Sequence, residues 1–443
     1  MKFGFYEKDI TPPTGTHIYG YFHERICEGV RDRLFAKAFV AKGDGGCFAI
    51  VSIDILSLPK TTGGSFRRRV LGKVNEFTDS FNFDNIIVTA THSHTSGPCN
   101  SENELDYKYI ESLVDIVAMC IVNAQKQLED ADAFFALGKA EGLAFIRNYI
   151  MKDGKIKTNP LGEKNDIVKP YGKTDTSVPM LFIKDKKGNL KGALVGFACH
   201  HDCVHGTLSS SDYSGILANE LKSKYGKDFV TVFLNGFCAN VNNWDCMNID
   251  DIPPVEDYIR IGKALAKTCM ENLPDAKKIQ SENAQAKSEN ITLKRREINK
   301  NLISEAEKLV KRMDKPDKGN IISDPSSIAY KRQTAKELLQ IYRDGPTSFE
   351  ATISVAKIGD CFIVATPGEM FNQYGDMLRE KMPTQKVFIA ELSNNEHIEA
   401  YIPVKELLNV ESVYETAPNS RRLEDDAGIM MIDKAAEIAN TLI

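Results

Sequence analysis

Five of the chain's eight histidines fall in two short stretches, His92 with His94, and then His200, His201 and His205. In an extended segment residues i and i+2 point to the same side, so His92 and His94 can face one site while Ser93 points away. Imidazoles grouped in this way serve as metal ligands or proton-transfer groups, although a pair of buried core histidines fits the same spacing. The second cluster sits in FACHHDCVHG at 197–206, directly after an apolar run, just as the first follows NIIVTA at 85–90. A third signal is ATPGEMF at 365–371, where Pro367 and Gly368 end an apolar run and present Glu369. A carboxylate there is either an N-terminal helix residue favoured by the dipole or, with two histidines, the third member of a catalytic zinc set that leaves a position for water.

Such side chains need a rigid frame. Within 35–56, AKAFVAK and CFAIVSIDIL are β-rich runs joined by Gly-Asp-Gly-Gly, which predicts a hairpin. Apolar spacing predicts helices over 67–76, 104–131 and 212–225, and buried strands over 85–90, 192–199, 229–236, 352–357 and 361–365. This alternation argues for an α/β fold with a large mixed β-sheet core and flanking helices, and the histidine clusters stand at strand ends, where such folds gather their sites. Residues 275–347 differ, being rich in Lys, Glu and Gln with sparse apolar positions. They are expected to form a charged, solvated helical insertion within one catalytic domain spanning 1–443.

Composition removes several classes of function. Lys and Arg number 56 against 61 Asp and Glu, so the net charge of -5 gives no field for a phosphate backbone and nucleic acid is not an expected partner. No stretch reaches the roughly 18 apolar residues of a membrane span, and Glu7, Lys8 and Asp9 interrupt any signal-like start, so a cytoplasmic location is expected. The ten cysteines lack the density of a disulfide scaffold and read as buried reduced thiols. Cys199 and Cys203 with His201 and His205 do not have the spacing of a standard zinc knuckle. There is no G-x-S-x-G, which disfavours a serine-elbow hydrolase. Thr95-Ser96 stands where a metallo-β-lactamase pattern needs Asp-His, and the later histidines form one cluster rather than the two separate sites of an amidohydrolase barrel.

Six spaced segments, DITPPTG at 9–15, VTATHSHTSGP at 88–98, FACH at 197–200, SSDYSG at 210–215, TPGEMF at 366–371 and AYIP at 400–403 with Tyr414-Glu415 after it, occur in the order seen in neutral, non-lysosomal ceramidases and their bacterial relatives. The chain resembles the catalytic domain of that family along nearly its whole length. The resemblance implies one catalytic zinc held by His92, His200, Glu369 and Tyr401, with His94 and Arg147 beside it to contact the substrate. It implies hydrolysis of an amide bond in a small-molecule or lipid-like N-acyl substrate by water activated at zinc. The alternatives are a zinc hydrolase of another small-molecule bond and a non-catalytic ligand-binding relative. Asp212, by position alone, is the candidate general base. No motif points to a further calcium or magnesium ion. Residues 239–243 read Ala-Asn-Val-Asn-Asn where the family carries a serine-containing segment, and the C-terminal β-sandwich domain of longer ceramidases is not expected here.

Overall fold

Two-residue alternation sorts most strands into two apolar faces, and this dictates a layered architecture. The computed structural model describes residues 1–443 apart from 22, 312–327, 395–397, 399, 411 and 412. The larger sheet contains β1 (Lys2–Asp9), β2 (Phe35–Gly43), β3 (Gly46–Ile53), β4 (Ile86–Ala90), β5 (Glu129–Lys139), β6 (Ser177–Asp185), β7 (Leu190–Phe197), β8 (Val230–Asn235) and the short β9 (Lys277–Lys278). Its order is β8-β7-β6-β5-β1-β2-β3-β4, with β9 on β5. The β3–β4 and β7–β8 pairs are parallel and the others antiparallel, so the sheet is mixed. A second sheet runs β10 (Ala284–Lys294), β11 (Ser348–Ile358), β12 (Cys361–Ala365) and β13 (Val387–Ala390), in that order.

The alternation can be followed residue by residue. Val40, Val51 and Val88 turn outward to pack under α1 (Phe66–Val74) and α2 (Glu104–Lys126). Their neighbours Phe39, Ile50 and Ile87 turn inward, where they meet Ile363 and Phe388 of the second sheet. Phe182, Val195 and Phe233 pack under α3 (Asp212–Tyr225) and α4 (Asp257–Asn272). Val355, Val364 and Ile389 face α7 (Gln373–Lys381) and α8 (Ala427–Thr441). The result is four layers, helices on sheet on sheet on helices, with a dry centre between the sheets.

The predicted hairpin is β2–β3, closed between Gly43 and Gly46, and the helix predicted at 212–225 has those ends. Residues 275–347 depart from the helical expectation. α5 (Lys300–Lys311) and α6 (Ile328–Leu339) are helical and share a small core through Ala306 and Leu338, but 284–294 is strand β10, paired along its whole length with β11. Residues 312–327 of that stretch lie outside the described residues. β10 is an edge strand whose residues are mostly half-exposed, so its polar composition imitates a solvated helix. No helix among the described residues is long and apolar enough to cross a membrane.

Candidate active site

The C-terminal ends of β4, β7 and β12 come together at one end of the layers. The chain leaves β4 through Thr91, and His92 N–H bonds Ile55 O at 2.9 Å while the backbone at His92 takes φ 73°. That left-handed conformation costs a residue with a Cβ about 1–2 kcal/mol, and strain of this kind collects at functional positions. The loop is then tied to the one after β7, with His94 N–H bonding His201 O at 3.0 Å and the Ser93 hydroxyl bonding Ser210 O at 2.7 Å. On the other sheet, Glu369 and Tyr401 face each other in a short parallel pairing, and Glu369 N–H bonds Ala400 O at 3.0 Å. In metal-stripped protein His92→Gly should be more stable than His92→Ala by roughly 0.5–1 kcal/mol in denaturant titration, because glycine adopts this φ freely and returns only part of the gain as chain entropy. Equal stability of the two would mean that the backbone at 92 is not strained.

The imidazoles have defined tautomers. His92 Nδ1 lies 2.9 Å from Leu56 O, and His200 Nδ1 lies 2.8 Å from Cys238 O and 3.1 Å from Val241 O. A carbonyl oxygen only accepts, so both Nδ1 atoms carry a proton, and in the neutral rings both Nε2 atoms are left with lone pairs. Those lone pairs converge. Glu369 Oε2 lies 3.3 Å from His92 Nε2 and 3.5 Å from His200 Nε2, and His94 Nε2 lies 3.3 Å from His92 Nε2. Ligand nitrogens of His92, His94 and His200 all fall within 4.8 Å of one another, the one such group among the described residues. Glu369 Oε2 and His94 Nδ1 are buried without a hydrogen-bond partner. Lone pairs and a carboxylate turned on each other repel unless positive charge sits among them. A divalent cation fits that donor set, with backbone carbonyls holding the imidazoles from behind.

The electrostatics follow from crowding and burial. Burial, then His92 and His200, push His94 well below the usual histidine range. Burial and next the Arg147 guanidinium bring His200 down to about 4. Burial also acts against the charged forms of His92 and Glu369, but their mutual attraction outweighs it, raising the imidazole and holding the carboxylate well below its usual range.

Arg147 reaches the same space. It follows the short strand Phe145–Ile146, which pairs with Val241–Asn242, and its N–H bonds Asn240 O at 2.9 Å. Its Nη1 donates to His200 Nε2 at 3.4 Å, its guanidinium carbon lies 5.5 Å from the centre of the Tyr401 ring, and Nη2 is buried without a partner. Its Nε donates to Glu415 Oε1 at 2.7 Å, and Glu415 also accepts from Asn148 at 3.1 Å and Thr158 at 2.8 Å.

The structure thus brings His92, His94, His200, Glu369 and Arg147 together with Tyr401 alongside. It does not bring Asp212 to them. Asp212 is fully buried at the start of α3 with φ 56°, and its carboxylate accepts N–H bonds from Cys203 at 3.0 Å, Val204 at 2.9 Å and Tyr213 at 2.6 Å. It shapes the loop carrying His200 and is not free to take a proton from water. The carboxylate near the cluster is instead Asp202, with Oδ1 3.7 Å from His94 Nδ1 and a hydrogen bond from the Tyr21 hydroxyl. Its place two residues after His200 was the available signal. Glu391, fully buried, accepts from the Cys238 thiol at 2.8 Å and from Met370 N–H at 3.2 Å, and burial pushes its carboxyl up to about 8. His201 lies outside the converging group, with its ring stacked on Tyr213 at 3.9 Å.

Comparison with known proteins bears on the fold and the family. Two solved structures superpose on the whole chain, a ceramidase described as complexed with C2 at a TM-score of 0.73 with 16% identity, and the neutral ceramidase from Pseudomonas aeruginosa at 0.72 with 17% identity. The chain covers 75% of the first and 74% of the second. At such identities the likeness establishes the fold. No curated protein matches the sequence. The family model for the N-terminal part of neutral/alkaline non-lysosomal ceramidases matches residues 1–335, which include both histidine loops and Arg147. By that match and by the shared fold, the chain belongs to the neutral/alkaline non-lysosomal ceramidase family.

Proposed function

We propose that the protein is a zinc-dependent hydrolase of an amide, N-acyl bond, with His92, His200, Glu369 and Tyr401 as the metal set and His94 and Arg147 facing the reacting carbonyl. The observation that carries this reading is the convergence on a buried carboxylate of two Nε2 atoms whose rings are held through Nδ1 by backbone carbonyls, next to an arginine with an unpartnered N–H. The choice between His94 and Glu369 as third ligand falls on Glu369, because an anion offsets a dication where a third neutral ring does not, and it touches two of the imidazoles. Zinc, when bound, supplies a Lewis acid that polarises the amide carbonyl and brings the pKa of water toward about 7.

The protein's own groups supply the rest. Arg147 Nη2, held in place through Nε by Glu415, donates to the negative charge that grows on the carbonyl oxygen. One preorganised donor of that kind contributes about 2.7–4 kcal/mol. His94 offers a neutral ring, with Nε2 toward His92 and Nδ1 toward Asp202. Between them His94 and Asp202 hold the proton that leaves the attacking water and return it to the departing amine. Dialysis against a chelator should abolish hydrolysis of N-acyl amides, and stoichiometric zinc should restore it, with elemental analysis giving one ion per chain. A chelated, metal-free protein that still turns over would end this reading.

A further inference from the structure

A cavity of about 730 Å3 adjoins His94, a volume in the range of small-molecule sites. Its wall brings two aromatic residues, Tyr21 and Trp244, together with two carboxylates, Asp202 and Asp251. His94, only 8% exposed, lies behind this wall, with its unpartnered Nδ1 3.7 Å from Asp202 and against Gly20. Gly20, at φ 111°, is required there, since a Cβ would lie 2.7 Å from that nitrogen. No lysine or arginine is among the described residues of the wall, which also includes His23 and His205. The nearest guanidinium, that of Arg25, lies 4.0 Å from the centre of the Tyr21 ring, and its Nη atoms donate to the carbonyls of Tyr19, His94 and Gly206.

An alkyl chain placed here would meet Ile252, Pro253 and Pro254 on the wall but would also cover Asp202 and Asp251 without pairing them, which is costly. A cation gains twice, from the face of the Trp244 ring and from a charge-assisted hydrogen bond to Asp251. The space lined by Glu369, Tyr401, Tyr414 and Arg422 is only about 200 Å3, and Glu337 of α6, to which Asn419 donates at 3.0 Å, takes up part of its wall. Resting on the hydrolase reading above, we propose that the larger cavity selects amides whose amine portion carries a positive charge, such as an N-acylated diamine, over amides with a hydrocarbon chain in that place.

The test compares four acetamides on the zinc-loaded protein: N-acetylputrescine (cationic), N-butylacetamide (neutral), N-acetylated γ-aminobutyrate (anionic) and N-acetylsphingosine (long-chain). The cationic amide should exceed the neutral one by about tenfold in kcat/KM, with the anionic amide lowest, a ratio in keeping with one ring–cation contact and one charge pair. Asp251→Asn should shrink the cationic-to-neutral ratio by about threefold or more, as expected for loss of one exposed charge. Trp244 is the chain's single tryptophan, so its fluorescence reports occupancy without turnover. Equal cleavage of cationic and neutral amides, or preference for N-acetylsphingosine, would overturn the proposal, as would equal quenching of Trp244 by cationic and neutral compounds. If none of the four is cleaved while N-acetylputrescine still quenches Trp244 selectively, the charge preference stands and the hydrolase reading is the part that fails.

Discussion

Glu369→Gln is expected to release the metal and to lower amide hydrolysis by at least about 10³-fold, the equivalent of a few kcal/mol of lost charge stabilisation at the reacting carbonyl. The substitution keeps shape and removes charge. The backbone pairing of residue 369 with Tyr401 and its N–H bond to Ala400 do not involve the side chain, so the fold has no reason to change. What disappears is the anion that lies 3.3 and 3.5 Å from two imidazole nitrogens. His94→Ala makes the companion experiment. If His94 stands beside the ion and outside its ligand set, as proposed, its removal leaves the metal in place and lowers activity about 10²–10³-fold. Elemental analysis, kcat/KM and a circular dichroism melt separate the two variants. Full metal content in Glu369→Gln with loss of metal in His94→Ala would exchange their roles and give the ion three histidine ligands.

The second large effect is on stability. Glu415→Ala should destabilise the protein by about 3–5 kcal/mol, the usual result of removing one partner of a buried ion pair. Glu415 is fully buried and accepts from Arg147, Asn148 and Thr158, so its loss strands a guanidinium, an amide and a hydroxyl together. Glu415→Gln keeps an acceptor but not the counter-charge, and should fall between the two in denaturant titration. Activity separates this positioning residue from a merely structural one. If Glu415 aims Arg147 at charge that exists only in the transition state, the Gln variant loses kcat with little change in KM. A folded Glu415→Gln protein with unaltered kcat would show that Arg147 does not act at the reacting carbonyl.

Local pattern carried the frame of this fold into view. Val88 and Ala90 could be assigned to a buried strand because 85–90 is short, β-branched and unbroken, and the hairpin because Gly43 through Gly46 stand between two apolar runs. The grouping of His92, His94, His200 and Glu369 was legible for the same reason, since each of these side chains follows an apolar run by a few residues. Three features were hidden. Strand β10 draws its stability from partners on β11, and its half-exposed residues obey solvent more than strand periodicity. Asp212 and Asp202 look alike in sequence, and only the backbone donors around Asp212 decide which carboxylate stays free. Glu415 meets Arg147 across 268 positions, a pairing that no window of sequence contains.

The four layers give the cluster one more property. His92 and His200 hang from the larger sheet and Glu369 from the smaller, so an ion seated among them is a cross-brace between two slabs that otherwise adhere mainly through oily side chains, with a few hydrogen bonds such as Glu391 N–H to Asn235 O. Its affinity is then part of the free energy that keeps the slabs docked. A replacement deep in that seam, far from any imidazole, can scatter the ligands by letting one slab slip, so cohesion and chemistry are inherited together.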